Sequence, residues 1–126
     1  MSHNDRMELA SKLQIKPHQR VAVLTGGADV PAGLLDGLVA AGPADEAEVV
    51  IAFVADRAGL ASEAVTRAVD AARADRLAWI AYPKAGQLGT DLNRDVLRGA
   101  LTDRGVQPVR QVALDAVWSA LRFRPA

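Results

Sequence analysis

Apolar and polar positions follow two rhythms along this chain. They divide it into a leading helix, three buried strands separated by helices, and a closing pair of strands. Met7, Leu9, Ala10 and Leu13 recur at helical spacing and predict a short amphipathic helix over residues 5–15, with residues 1–5 expected to be disordered. Pro17 stops it, because proline keeps the preceding residue out of the helical region. Val21-Ala-Val-Leu24 is uniformly apolar, as a strand buried on both faces should be. Thr25-Gly26-Gly27-Ala28 reads as the turn after it. Asp29 is then the expected N-cap of a helix with Pro31 in its first turn. Leu34, Leu35, Leu38 and Val39 would form that helix's buried stripe, and Gly42-Pro43 its stop.

Asp45 to Glu48 reads as a solvated connector into a second all-apolar strand, Val49–Val54. Asp56 to Gly59 leads into a helix with Leu60, Ala64, Val65, Ala68, Val69 and Ala72 on one face. Arg76 to Tyr82 is the third expected strand. A helix is expected from Asp91 to about Arg104, with Leu92, Val96, Leu97 and Leu101 turned inward and Gly105 closing it. Two β-rich runs follow, Val106–Leu114 and Trp118–Arg124. The link between them is so short that it permits a hairpin and not a parallel crossover.

Alternating strands and helices imply an α/β fold. The expectation is one compact Rossmann-like domain over residues 1–126, in two or three layers. Its sheet should be mostly parallel, of about five strands, with a C-terminal antiparallel β-hairpin.

Several segments carry a family resemblance. Leu13-Gln-Ile-Lys-Pro17, Glu48-Val-Val-Ile-Ala-Phe53 and Arg76-Leu-Ala-Trp-Ile-Ala81 resemble segments of class I S-adenosylmethionine-dependent methyltransferases. Over nearly its full length the chain is similar to a small bacterial family of uncharacterised proteins, the DUF3052 family. Ile80-Ala-Tyr-Pro-Lys84, Thr90-Asp-Leu-Asn-Arg-Asp95 and Trp118-Ser-Ala-Leu-Arg-Phe-Arg124 carry that similarity. The methyltransferase resemblance implies a Rossmann-like sheet, and the departures from it matter as much. Thr25-Gly26-Gly27-Ala28-Asp29 lacks the alternating glycines of the cofactor loop. The acid that would hold the ribose hydroxyls has no counterpart. The resemblance therefore implies a minimal form of the fold, without the cofactor.

Composition narrows the function classes. Fifteen basic and fifteen acidic residues cancel, so no overall field favours nucleic acid or an anionic membrane. The chain has no cysteine, which excludes disulfides, thiolate metal sites and a cysteine nucleophile. Its start has no apolar signal core and no run reaches membrane length, so a cytoplasmic location is expected. His3 and His18 have no second ligand at metal spacing, so no metal is expected. Ser11, Ser62 and Ser119 lack a histidine neighbour, and no catalytic residue is nominated.

The strand–loop–helix stretch from Arg76 to Asp95 is the candidate site, because ligands in open α/β sheets gather at the carboxyl ends of strands. Lys84 follows the strand in a loop with Gly86, Gly89 and Thr90, and Asp91 and Arg94 stand at the start of the next helix. Loop amides, a helix dipole and a lysine suit a small anion such as carboxylate or phosphate. An ordinary solvated loop with a capped helix is the competing reading. Gly26 and Gly27 would let a ligand approach the first strand, although paired glycines also make plain turns. Trp118, Arg122 and Arg124 fall on one side of the last strand, as an interface surface or as a tryptophan covering the core edge.

Sequential right-handed crossovers would place their helices on one face of the sheet. The other face of Val49–Val54 would then need a cover, for which a homodimer is the expectation. The overall expectation is a binding or regulatory module without catalysis. A small enzyme on a nucleotide-like or carboxylate ligand, and a structural subunit for another protein, are the alternatives.

Overall fold

A computed structural model of the chain describes residues 10–16, 18–28, 30, 39–40 and 47–126. Among these residues six strands form one sheet: β1 (Arg20–Gly26), β2 (Val39–Ala40), β3 (Val49–Val54), β4 (Leu77–Pro83), β5 (Val106–Ala113) and β6 (Trp118–Pro125). Among the described residues two complete α-helices accompany them, α1 (Glu63–Arg73) and α2 (Arg94–Thr102), with short 3-10 turns at Arg57–Ala61 and Gln87–Gly89. Strand order across the sheet is β2-β1-β3-β4-β6-β5.

The expectation of a mostly parallel sheet is overturned. Full-length parallel ladders join β1 to β3 and β3 to β4, and full-length antiparallel ladders join β4 to β6 and β6 to β5. The β1–β2 pairing is parallel but only two residues long. The cause lies in where the returning strand inserts. The turn at 114–117 does make a hairpin, as its length requires. But β6 takes the place beside β4 instead of the sheet edge, so both of its ladders are antiparallel. The sheet is mixed.

Period-two alternation sorts the strands onto two cores. On one face Val50, Ala52, Val54, Ala78, Ile80, Tyr82, Leu121 and Phe123 pack with α1 and α2. Helix α1 starts where the Ser62 hydroxyl accepts from the Val65 amide at 3.4 Å. It buries Ala64, Val65, Ala68, Val69 and Ala72 as predicted, and Ala71 with them. Leu60 packs against this core from the 3-10 turn before the helix.

On the other face Val21, Val49, Ile51, Phe53, Trp79, Ala81, Trp118 and Ala120 form a second core. The N-terminal strap crosses it, with Leu13 and Ile15 buried. Trp79 sits at the centre, fully buried, and its indole Nε1 donates to the Leu13 carbonyl at 3.0 Å. Burying side chains of this size stabilises the fold by about 1.5–3 kcal/mol each. The second face is therefore covered within the chain, and the reasoning that led to a homodimer loses its premise.

Helical structure in the strap is described for 10–12 only. The first half of that helix lies outside the described residues, as do Pro17, Asp29, Pro31, Leu34, Leu35, Leu38 and Gly42-Pro43. Val39, assigned by pattern to a helical stripe, belongs to strand β2. Helix α2 begins at Arg94 and not at Asp91, because Asn93 is its N-cap.

Candidate functional site

Strand β4 ends at Pro83, and the backbone amide of Lys84 donates to the Val117 carbonyl at 2.7 Å. That bond fixes the start of the lysine loop against the β5–β6 turn. Beyond it, on the helix face of the sheet, lies a cavity of about 450 Å³. Its walls come from the end of β4 (Tyr82, Lys84, Ala85), the first turn of α2 (Asn93, Arg94, Asp95) and the hairpin (Gln111, Ser119). A volume in this range accommodates a small-molecule ligand.

A polar chain runs along one wall. Gln111 Nε2 donates to the Tyr82 hydroxyl at 3.2 Å, and Arg94 Nη1 donates to Gln111 Oε1 at 3.4 Å. Arg94 Nε also lies 3.8 Å from the Asp95 carboxylate. Tyr82 and Ser119 face each other across the β4–β6 ladder, and both are buried. Burial pushes the Tyr82 phenol above its ordinary value, with Arg94 opposing and Asp95 adding to the shift. The phenol is therefore a neutral group in this wall. Lys84 is half-buried, and among the described residues its ammonium has neither an ion pair nor a hydrogen-bond partner.

The cavity unites two of the residues nominated from sequence, Lys84 and Arg94. The others do structural work. Thr90 Oγ1 donates to the Ala55 carbonyl at 2.6 Å and accepts from the Leu92 amide at 3.0 Å, which ties the loop to the end of β3. Asp91 accepts from the Arg57 amide at 2.8 Å, so it does not occupy the helix start. Gly86 (φ 83°) opens the Gln87–Gly89 turn in the left-handed region, where glycine alone is unstrained. Leu88 holds φ 53° in the same turn with its side chain exposed.

The glycine pair is not an opening toward ligand. A Cβ on Gly26 would lie 2.3 Å from the Ser62 hydroxyl, so this glycine lets the Arg57–Ser62 segment close over the end of β1. Gly27 has φ 83° and bridges to Val54. The sheet's carboxyl end is thus filled at β1 and open at β4.

Trp118 is not a surface platform. It is buried, with its ring 5.3 Å from that of Phe53 in an edge-to-face contact. Arg124 Nε bonds Asp75 at 3.1 Å, and Arg122 Nη1 bonds the Gln14 side chain. Pattern reading missed Tyr82, Asn93, Gln111 and Ser119 as site residues. Gln111 and Ser119 reach the cavity only through hairpin register, which no linear motif announces.

Among the described residues no three His, Asp or Glu side chains gather as a metal site. No helix among them is long and apolar enough to cross a membrane. No protein-family model, curated protein or solved structure matches the chain.

Proposed function

We propose that the chain is a binding module that holds a small anion, carboxylate or phosphate, in the Tyr82–Lys84–Arg94 cavity. The observation that carries this reading is Lys84: a half-buried ammonium without a partner among the described residues, on the wall of a cavity it shares with Arg94. An unpaired cation drawn from bulk water loses hydration, and an anionic ligand restores that loss. Asn93, Gln111, Tyr82 and Ser119 add neutral hydrogen-bonding groups, and Asp95 offsets one of the two positive charges.

Binding is favoured over turnover by the chemistry of the walls. Among the described residues they contain no histidine, and the Tyr82 phenol titrates further above pH 7 than an ordinary phenol. General acid–base work near pH 7 needs a group that titrates there.

A thermal-shift titration with malonate tests the reading. Saturable stabilisation is expected in the unaltered protein and should disappear in Lys84→Ala. If Lys84→Ala and Arg94→Ala both keep the full shift, the cavity is not the binding site.

A further inference from the structure

Strand register sets Trp79, Arg122 and Arg110 in one row across β4, β6 and β5, on the face away from the helices. Directly opposed residues on antiparallel strands hold their Cβ atoms about 4.5–5.5 Å apart, and like charges so placed destabilise the sheet. Arg110 and Arg122 are such a pair. Arg124 follows two positions along β6 on the same side. Among the described residues, Asp75 is the carboxylate that serves this group, and both of its oxygens bond Arg124, at 3.1 and 3.4 Å.

The opposed pair receives neutral acceptors from the strap. Arg122 Nη1 donates to the Gln14 side chain, and Arg110 Nε donates to the Lys12 carbonyl at 3.4 Å. Among the described residues, Arg122 Nε is buried with no hydrogen-bond partner. A buried donor left unsatisfied is costly, as is an uncompensated pair of guanidiniums. Burial, followed by the nearby Arg124, lowers the Arg122 pKa; Asp75 opposes this and Arg110 adds to it.

We propose that Arg110 and Arg122 form a second anion site, for inorganic phosphate or a phosphomonoester group seated against the strap. Guanidinium forks match phosphate oxygens, and a tetrahedral dianion can accept from two forks at once. Such a ligand converts a repulsive cross-strand pair into a clamp, and it engages the shielded Arg122 Nε only where the groups covering that atom move aside. The site lies on the opposite face of the sheet from the Lys84 cavity and does not depend on it.

The test uses the full chain carrying Lys84→Ala and Arg94→Ala, which silences the cavity. Thermal stability is followed against inorganic phosphate and against O-phosphoserine, with sodium chloride at matched ionic strength as reference. Both phosphoryl ligands should raise the Tm above the chloride reference, and the stronger of the two identifies free ion or ester as the better source. Adding the exposed Arg110→Gln change should raise the Tm in chloride, by removing repulsion. The same change should weaken apparent phosphate affinity about tenfold, with Arg110→Lys in between. A phosphate response no larger than that of chloride, or one unchanged by Arg110→Gln, would overturn the proposal.

Discussion

The indole of Trp79 and the carbonyl of Leu13 are joined by a 3.0 Å hydrogen bond that pins the N-terminal strap to the middle of the sheet. Both residues are fully buried. The bond therefore lies where water cannot replace it, and losing the donor leaves a buried carbonyl unsatisfied. Trp79→Phe should cost about 2 kcal/mol, and Leu13→Ala about 2–5 kcal/mol, in urea denaturation followed by circular dichroism. A change below about 0.5 kcal/mol in both would mean that the strap is not part of the folded core.

Gly26 and Ser62 are close neighbours for a steric reason. Gly26→Ala should destabilise by about 1–3 kcal/mol, since the new methyl meets the Ser62 hydroxyl at 2.3 Å. Ser62→Ala alone should cost about 1 kcal/mol through loss of the α1 cap. The double variant should be more stable than the sum of the two costs requires, because the clash is shared. Strict additivity in chemical denaturation would contradict the packing described.

At the foot of β1, the Arg20 amide donates to the Glu48 carboxylate at 2.6 Å. This bond, helped by the Glu48 amide, holds the carboxyl below its ordinary range. A depressed folded-state pKa means the unfolded chain binds the proton more readily. The contribution is thus present above the ordinary carboxylate range and is lost as pH falls through the folded value. Glu48→Gln should flatten the acid side of a Tm-versus-pH profile taken from roughly pH 6 to pH 3. An unchanged acid limb would show that the bond does not couple to folding.

Asn93 and Asp91 are both cap-type residues, and they have separate duties. Asn93 Oδ1 accepts from the Val96 amide at 2.9 Å, whereas Asp91 serves the Arg57 amide. Asn93→Ala should cost about 1 kcal/mol. Asp91→Asn, which keeps an acceptor, should stay within about 0.5 kcal/mol. The reverse ranking in equilibrium unfolding would return the cap to Asp91.

The legible and illegible parts of this molecule follow from the range of the forces involved. Val49–Val54 and the Ala64–Ala72 stripe were readable because burial imprints a local period on the sequence. The hairpin was readable because the link after Leu114 is too short to cross over. The placement of β6 beside β4 was not, since strand order depends on pairings between distant segments. The Asp91 and Asn93 roles divided for a similar reason. Either residue can cap a helix, and the Arg57 amide that engages Asp91 comes from another part of the chain. At the candidate site Lys84 and Arg94 were visible as a loop and a helix start, while Gln111 and Ser119 depended on register. The opposed arginines were hidden by a bulge between Pro108 and Arg110, which changes the alignment of β5 against β6.

The most direct test of anion binding in the Lys84 cavity is an amide chemical-shift titration with malonate in the Arg110→Gln protein, in which the proposed second anion site is weakened. Saturating shifts are expected at Lys84, Ala85, Arg94, Asp95, Gln111 and Ser119, three separate chain segments responding with one affinity. Shifts centred on Gly26 and Gly27, or none at any concentration that stabilises the fold, would contradict the cavity as the binding site.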